Sequence, residues 1–273
     1  MPELPEVETV KRSLKLKLIG RRVVSCDVYH NNIIEYPSVS EFKKSIIGQT
    51  FRDIERHGKW LKFVLDDYYL LSHLRMEGKY FFRDKDEDIH KHEHIVFVLD
   101  NGISFRYMDV RKFGKMHLIK KCDIDKVGPL LNIGLEPWDE KLTIDYLKSK
   151  YKNKKLPIKT LLLDQSIIAG IGNIYANEIL FASSINPLKL GSQLNDKELE
   201  SIISNTRNIL SKAIDMGGST IHSYTSVDGV TGLFQQELMV HTRVNQKCKV
   251  CGSNIEKVIV GGRGTYYCPN CQK

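Results

Sequence analysis

Short apolar runs separated by turn residues mark the first half of the chain, a pattern that favours β-strands. The clearest apolar runs are 60–65, 68–71, 94–99 and 103–107. Asp66-Asp67 separates the first two runs and predicts a tight hairpin. Asp100-Asn101-Gly102 separates the other two, and Asn-Gly is a strong hairpin signal because both residues tolerate positive φ. The stretch from Ile33 to Ile119 is therefore predicted to be rich in β-strands.

A helical period is found at the N-terminus and again in the second half of the chain. Apolar residues recur at helical spacing and predict a helix over Pro5–Leu18, packed on the β-rich half. Asn173–Ala182 predicts a second helix. Asn195 stands in N-cap position before Glu198, so a third helix begins there and ends at Met216-Gly217-Gly218. Its core-facing stripe is Leu199, Ile202, Ile203, Thr206, Leu210 and Ala213.

Length and charge narrow the class of protein. The chain has 273 residues, enough for two domains with separate cores, and a boundary is predicted within 126–152. Its net charge of +8 suits an anionic partner. A basic segment from Arg111 to Lys159 ends in Lys148, Lys150, Lys152, Lys154, Lys155 and Lys159. This segment is either a solvated linker or a phosphate-binding stripe, and its place between two motif-bearing halves favours the stripe.

The cysteines are interpreted together with the cellular location. Apolar runs are far shorter than a membrane span and Met1-Pro2-Glu3 lacks a basic start, which predicts a soluble, cytoplasmic protein with no membrane partner. Cys248-x2-Cys251 and Cys268-x2-Cys271 have the spacing of a structural zinc site closed by four thiolates. Disulfides are the alternative, and a reducing compartment disfavours them. Cys26 and Cys122 lack such a spacing and are predicted to lie in the core.

The N-terminus carries the most informative chemistry. Removal of Met1 leaves Pro2 with a free secondary amine, which attacks an aldehyde carbon to give an iminium ion. The positive end of the following helix favours the neutral amine, whereas Glu3 and Glu6 favour the protonated form, so the balance stays open. The simpler interpretation is that proline and glutamate merely begin a capped helix.

Two glycine-bearing segments suit contact with phosphate. Gly170-Ile171-Gly172-Asn173 joins two helices, where glycine and the donors of a helix start allow close approach to phosphate. A requirement for glycine in the turn alone is the alternative. Val258–Tyr267 predicts a β-hairpin with Arg263 near its tip, either as a phosphate grip or as an ordinary exposed arginine.

Several of these segments resemble those of one enzyme family, the formamidopyrimidine-DNA glycosylases, which repair DNA by base excision and use an N-terminal proline as nucleophile. The matching segments are Met1–Val10, Ser72–Gly78, Asp109–Gly114, Ala169–Glu178 and the cysteine cluster ending at Cys271. They span the chain in the family's order, so the resemblance is specific. It implies an α+β fold in which an N-terminal β-sandwich with an N-terminal helix precedes a helical domain with a helix–two-turn–helix motif and a zinc-finger β-hairpin. The implied domains are 1–125, 126–240 and 241–273.

The resemblance also implies an activity. The family's enzymes are bifunctional glycosylases and abasic-site lyases that act on damaged double-stranded DNA, removing 8-oxoguanine paired with cytosine and ring-opened formamidopyrimidines. A monomer is expected, because one lesion site needs one subunit. By this resemblance Pro2 is the nucleophile, Glu3 the general acid, and Lys59 and Arg263 assist elimination at the lesion phosphates. One structural zinc ion is the implied cofactor.

Six further residues match DNA-contacting positions of the family: Met76, His92, Arg111, Phe113, Lys154 and Asn173. Met76, Arg111 and Phe113 match the trio that fills the space left by a flipped base. Core packing of the two apolar members is the alternative. Residues 217–235 are rich in Gly, Ser and Thr and are predicted to form a mobile loop that folds over the flipped base.

The sequence departs from the family pattern in two places. Residues 240–247 lack the usual Val-Tyr-Gly segment and the proline before the cysteine, which leaves the loop geometry there open. His57 stands where a second arginine is common.

Two other functions stay under consideration. One is the related branch for oxidised pyrimidines, although Leu4, Met76 and 109–114 resemble the purine branch. The other is a non-catalytic zinc-ribbon protein that binds bent or abasic DNA.

Overall fold

The structure, a computed structural model, describes residues 1–219 and 232–273. Most of the loop predicted to fold over a flipped base falls on 220–231 and lies outside the described residues. The described chain packs into two compact units. The first comprises Met1–Pro2, Glu6–Leu131 and Gly232, and the second comprises Glu3–Pro5, Asn132–Ser219 and Leu233–Lys273.

The first unit holds most of a long helix, a short helix and two β-sheets. The helices are α1 (Leu4–Leu18) and α2 (Val39–Ile46). The strands are β1 (Val23–Val28), β2 (Ile34–Tyr36), β3 (Asp53–His57), β4 (Trp60–Val64), β5 (Tyr68–His73), β6 (Lys79–Asp84), β7 (Glu93–Leu99), β8 (Ile103–Met108) and β9 (Lys115–Lys120). One sheet has the order β1-β7-β8-β6 and the other the order β2-β9-β5-β4-β3. Strand β2 runs parallel to β9, and the other pairs are antiparallel.

Both predicted hairpins are confirmed. Strands β4 and β5 pair from Trp60 with His73 to Val64 with Tyr69. Strands β7 and β8 pair across the Asn-Gly turn, where Gly102 adopts a φ of 79°. This is the positive value that an Asn-Gly signal anticipates.

The core of the first unit lies between its two sheets. The rings of Phe63 on β4 and Phe105 on β8 have centroids 6.0 Å apart, so side chains of both sheets meet. The same cluster takes in the buried face of α1, formed by Val7, Val10, Leu14 and Leu18. The result is the predicted β-sandwich with the N-terminal helix packed on it.

The second unit is mainly helical and ends in a β-hairpin. Its elements are α3 (Ile144–Tyr151), α4 (Ile158–Leu162), α5 (Asn173–Ala182), α6 (Asp196–Asp215), β10 (Glu256–Val260) and β11 (Arg263–Tyr267). The capping box of α6 is confirmed, because Asn195 and Glu198 each accept the other's backbone N–H at 3.0 Å. All six residues of its predicted stripe are buried. No helix among the described residues is long and apolar enough to cross a membrane.

The two isolated cysteines differ in their surroundings. Cys26 is buried in β1, as predicted. Cys122 is exposed, so its assignment to the core was wrong. It lies in a short 3-10 turn, Lys121–Asp123, which begins where β9 ends and the chain leaves the sheet.

Candidate active site and zinc centre

Glu3 occupies the N-terminus of α5. Its carboxylate accepts the backbone N–H of Ile174 at 2.9 Å and that of Tyr175 at 3.3 Å. The N-cap residue of this helix is Gly172, which has no side chain to accept these donors. Glu3 therefore supplies the missing cap from a distant part of the sequence, and the positive end of the helix stabilises its negative charge.

The two glycines before α5 make room for the N-terminal residues. A Cβ atom on Gly172 would lie 2.2 Å from Cδ of Glu3, and one on Gly170 would lie 2.4 Å from the Leu4 side chain. Gly170 also accepts the backbone N–H of Leu4 at 3.1 Å. The sequence suggested phosphate as the close neighbour of these glycines. Within the protein, the close neighbours of these glycines are the side chains of Leu4 and Glu3, and the phosphate contact stays a prediction.

Asn173 is linked to the segment of Arg263 through the hairpin formed by β10 and β11. The Asn173 side-chain amide donates to the carbonyl of Gly264 at 3.0 Å, and Arg263 is the exposed residue immediately before that glycine. The link ties the first turn of α5 to β11. Lys154 lies after α3 and is exposed.

Lys159 does not belong to the exposed basic segment in which the sequence analysis placed it. It was grouped with the lysine-rich stripe, but its side chain is completely buried in α4. Its ammonium donates to the carbonyl of Asn173 at 3.1 Å and to Oδ1 of Asn177, whose amide donates to Nδ1 of His241 at 2.7 Å. Burial lowers the pKa of Lys159 to about 7, against the opposing attraction of Glu3. A lone lysine directly after the apolar Pro157-Ile158 was the only sequence signal of this position.

Lys159 makes the stability of the protein depend on pH. In the unfolded chain the lysine keeps a pKa of about 10.4. Below pH 7 both states are protonated, and folding bears the whole free-energy cost of burying the charge. Above pH 7 only the folded state releases the proton, so the folded state becomes more stable as the pH rises. We expect the free energy of unfolding, relative to that of Lys159→Met, to rise by about 2 kcal/mol between pH 7 and 9. Urea denaturation of both proteins at each pH measures this difference. A difference that stays constant with pH would contradict the lowered pKa.

Lys59 lies in the tight turn between β3 and β4. It is 7% exposed, and it follows Gly58, which has a φ of 55°. The guanidinium of Arg56 holds this turn by donating to the Gly58 carbonyl at 3.1 Å and to Glu8 at 3.1 Å. Burial raises the pKa of Glu8, but its ion pairs with Lys11 and Arg56 outweigh burial and leave the pKa below its usual value. His57 ends β3 beside this turn.

The remaining predicted residues of the first unit lie in loops of the β-sandwich. Met76 is half-buried in the turn between β5 and β6. Arg111 and Phe113 are exposed in the loop between β8 and β9, and the guanidinium lies 4.7 Å from the centre of the aromatic ring. His92 precedes β7, and its Nδ1 is buried without a hydrogen-bond partner among the described residues.

The four cysteines form the site of one structural zinc ion. The Sγ atoms of Cys248, Cys251, Cys268 and Cys271 all lie within 4.8 Å of one another. The Cys248–Cys271 and Cys251–Cys268 sulfur pairs are 3.9 and 3.4 Å apart. Zn–S bonds of about 2.3 Å put the sulfurs of a tetrahedron about 3.8 Å apart, so the cluster fits zinc. Four protein ligands leave no open position, which makes the ion structural.

The atypical segment before the first cysteine pair is anchored by Glu178, a residue that the sequence analysis did not single out. Its buried carboxylate accepts three successive backbone N–H groups, from Met239, Val240 and His241, at 2.8 to 3.1 Å. Burial raises the pKa of Glu178, and these three donors oppose the rise. Thr242 takes a φ of 62°, in the left-handed region that glycine enters at lower cost.

A proline at position 2, a carboxylate that caps a distant helix and a four-cysteine cluster beside a hairpin are the features on which the chain can be compared with known proteins. The sequence matches the formamidopyrimidine-DNA glycosylase N-terminal domain over residues 1–116 and the formamidopyrimidine-DNA glycosylase H2TH domain over 133–225. Residues 245–273 match the zinc finger found in FPG and IleRS. The chain belongs to the formamidopyrimidine-DNA glycosylase family.

Known relatives are similar over their full length. The chain is 45% identical over 273 residues to the formamidopyrimidine-DNA glycosylase of Cytobacillus firmus, covering 100% of both chains. It is 43% identical to that of Bacillus subtilis strain 168, covering 100% of this chain and 99% of the relative. A Lactococcus lactis FPG mutant in complex with Fapy-dG containing DNA is 38% identical, with a TM-score of 0.93 and 100% coverage of both chains. The Lactococcus lactis Fpg in complex with abasic-site containing DNA has a TM-score of 0.92 at 38% identity, covering 99% of each chain.

Proposed function

We propose that this protein is a base-excision repair enzyme, a bifunctional DNA glycosylase and abasic-site lyase. It removes oxidised purines such as 8-oxoguanine and formamidopyrimidines from double-stranded DNA and then cleaves the sugar–phosphate backbone. The observation that carries the proposal is full-length membership of the family, with relatives solved on Fapy-dG and abasic-site DNA. The net charge of +8 suits this polyanionic partner.

Pro2 is the nucleophile and Glu3 the general acid. The lone pair of the Pro2 nitrogen forms a bond to C1′, and the damaged base leaves with the electron pair of the glycosidic bond. The two helix N–H donors favour the carboxylate form of Glu3. Glu3 therefore takes up the proton that the Pro2 nitrogen releases and delivers it to the sugar ring oxygen. The ring opens, and the Pro2 nitrogen becomes an iminium ion.

Strand cleavage follows from the iminium ion, which is an electron sink and acidifies C2′. Loss of the C2′ proton breaks the C3′–O bond in β-elimination, and δ-elimination then breaks the C5′–O bond, leaving a one-nucleotide gap. Lys59, Asn173 and Arg263 bind the phosphates that leave. The hydrogen bond from Asn173 to Gly264 supports a joint role for Asn173 and Arg263, because it fixes the hairpin to α5.

The other predicted residues hold the DNA. Met76, Arg111 and Phe113 fill the space vacated by the flipped nucleotide. The Arg111 guanidinium offers donors to the acceptor edge of an unpaired cytosine, which suits lesions opposite cytosine. His92 and Lys154 bind backbone phosphates.

The proposal includes the organisation of the chain. Residues 1–125 carry the nucleophile, 126–240 the helix–two-turn–helix module and 241–273 the zinc finger, an order that the family matches at 1–116, 133–225 and 245–273 support. One lesion engages one chain, so the enzyme acts as a monomer. It works in the cytoplasm, a location supported by the bacterial origin of its relatives, which carry the name of a DNA-processing enzyme.

Replacing Gly172 by alanine tests the role of Glu3. The new methyl group would meet the Glu3 carboxyl carbon at 2.2 Å and displace the carboxylate from α5. We expect the single-turnover excision rate to fall about as far as in Glu3→Gln, on the order of a hundred- to ten-thousandfold. Gly191→Ala is the matched control, because its methyl group would meet Leu161 at 2.2 Å and strain packing without touching Glu3. An unchanged excision rate in Gly172→Ala would contradict the proposed role of Glu3 as general acid.

Borohydride trapping on a duplex with 8-oxoguanine opposite cytosine tests the proposed function. We expect a stable adduct that maps to Pro2, which identifies the iminium, the nucleophile and the substrate class together. An adduct only with an oxidised pyrimidine would move the chain to the related branch. Tight binding without an adduct on either lesion or on a plain abasic site would indicate a non-catalytic zinc-ribbon protein.

A further inference from the structure

A single buried carboxylate organises the loop that carries Arg111 and Phe113. Asp109 is completely buried. Its Oδ1 accepts the backbone N–H of Arg111 at 3.0 Å, and its Oδ2 accepts that of Gly114 at 2.8 Å. The backbone is therefore fixed at Arg111 and immediately after Phe113 by the same side chain. Such a carboxylate with two charge-assisted backbone contacts makes a short loop rigid.

The hydroxyl of Tyr107 connects this loop to the turn that carries Met76. It donates to Oδ2 of Asp109 at 3.4 Å. A Cβ atom on Gly114 would lie 1.7 Å from the Tyr107 oxygen, and one on Gly78 would lie 2.2 Å from it. Gly78 closes the Met76 turn by donating its N–H to the Leu74 carbonyl at 2.9 Å. The backbones of both loops thus approach one buried hydroxyl as closely as glycine permits.

The backbone of Asp109 is fixed as firmly as its side chain. Its N–H donates to the His92 carbonyl at 3.0 Å, and its carbonyl accepts from Nε2 of His94 at 2.9 Å. His94 is buried, and burial lowers its pKa. A neutral His94 keeps a single ring N–H, and this contact uses it. Asp109 therefore joins the segment bearing His92 to the loop bearing Arg111.

We propose that Tyr107 and Asp109 are positioning residues that hold Met76, Arg111 and Phe113 in one preorganised arrangement, and that this arrangement sets the preference for cytosine opposite the lesion. The inference rests on the proposed function. The side chains of Met76, Arg111 and Phe113 enter the same space in the DNA, so their distances from one another must stay fixed. A displacement of about 1 Å already weakens a contact that depends on exact positioning. The buried Tyr107 hydroxyl lies against Gly78 in one loop and Gly114 in the other, and the Asp109 carboxylate holds the backbone at Arg111 and Gly114. Together the two groups contact both loops and can fix that spacing.

Tyr107→Phe tests the proposal with the smallest change. It removes the hydroxyl and keeps the ring, which packs on Tyr80 with centroids 5.2 Å apart. Single-turnover rates are measured for 8-oxoguanine opposite cytosine, 8-oxoguanine opposite adenine and a preformed abasic site. We expect the ratio of the cytosine rate to the adenine rate to fall about fivefold, the factor for one buried hydrogen bond, with the abasic-site rate retained.

Tyr80→Phe is the matched control. The Tyr80 hydroxyl is buried in the same core and donates to the Ser72 hydroxyl at 2.7 Å, within the β-sandwich. Its removal deletes one buried hydrogen bond of the same kind without loosening either loop. We expect the cytosine-to-adenine ratio of this variant to match that of the unmodified protein.

Asp109→Asn is a second, independent variant. An amide offers one acceptor oxygen in place of two, so one of the contacts to Arg111 and Gly114 is lost. The same fall in the ratio is expected.

Because both rates come from one preparation, the ratio of the two rates does not depend on the fraction of folded protein. An unmodified protein that cleaves none of the three duplexes refutes the proposed function. An active protein whose ratio is unchanged in both variants refutes only the positioning role.

Discussion

Protein that retains Met1 forms no borohydride-trapped adduct with lesion DNA, whereas the same protein processed to Pro2 forms one. In the unprocessed chain the Pro2 nitrogen is part of a tertiary amide, whose lone pair is delocalised into the carbonyl and cannot attack C1′. Removal of one residue therefore creates the nucleophile. We expect both base excision and strand cleavage to fall to the background of the assay. Gel analysis of trapped complexes, with mass spectrometry of the N-terminus, measures both quantities.

The control is the same sample after digestion with methionine aminopeptidase. Met1 is 46% exposed and is followed by proline, so the restored protein differs only by that residue. Recovery of the adduct excludes damage during preparation. An equal adduct yield before and after digestion would contradict Pro2 as nucleophile. It would direct attention to an amine inside the chain, with Lys159 first because burial lowers its pKa to about 7.

Replacing Cys268 by serine is expected to release the zinc ion and abolish binding to lesion DNA. The thiolate is completely buried and packs with Phe181, Val240 and Ile255, so the metal and a small apolar cluster stabilise each other. Structural zinc sites contribute about 10 kcal/mol or more of folding free energy, as much as the whole stability of a typical domain. Loss of the ion therefore releases the hairpin that carries Arg263, together with the Gly264 contact to Asn173.

Zinc content by atomic absorption and DNA affinity by fluorescence anisotropy measure this prediction. Cys122→Ser is the control, because its thiol is exposed and lies outside the metal cluster. It should keep one zinc ion per chain and the affinity of the unmodified protein. Unchanged DNA affinity in a zinc-free Cys268→Ser protein would show that the hairpin holds its shape by apolar packing alone.

Several periodic features of the fold were readable from the sequence. The two hairpins, the helix over Asn173–Ala182, the capping box at Asn195 and the six-residue stripe of α6 follow from short-range rules, because each depends on residues within about one turn of one another. The cysteine spacing predicted the zinc site for the same reason. The placement of Cys122 failed, because an unpaired cysteine carries no periodic signal of its own.

The catalytic residues were named through resemblance to the family, but their surroundings were decided by tertiary structure. Glu3 and Ile174 are separated by 171 positions in the chain, and nothing in either local pattern indicates that one caps the other's helix. The sequence pattern did not indicate that Leu4 and Glu3 lie against Gly170 and Gly172, or that the Lys159 side chain is buried. The contact of the Tyr107 hydroxyl with two loops likewise depends on the tertiary structure, because Gly78 and Gly114 belong to different segments of the chain. The sequence alone indicated two hairpins, the helices at Pro5–Leu18, Asn173–Ala182 and Asn195–Met216, and the zinc ligands, since these depend on local order, and it indicated the family by resemblance. The burial of charge and the close approach of backbones came from tertiary packing, since only the folded chain brings distant residues together.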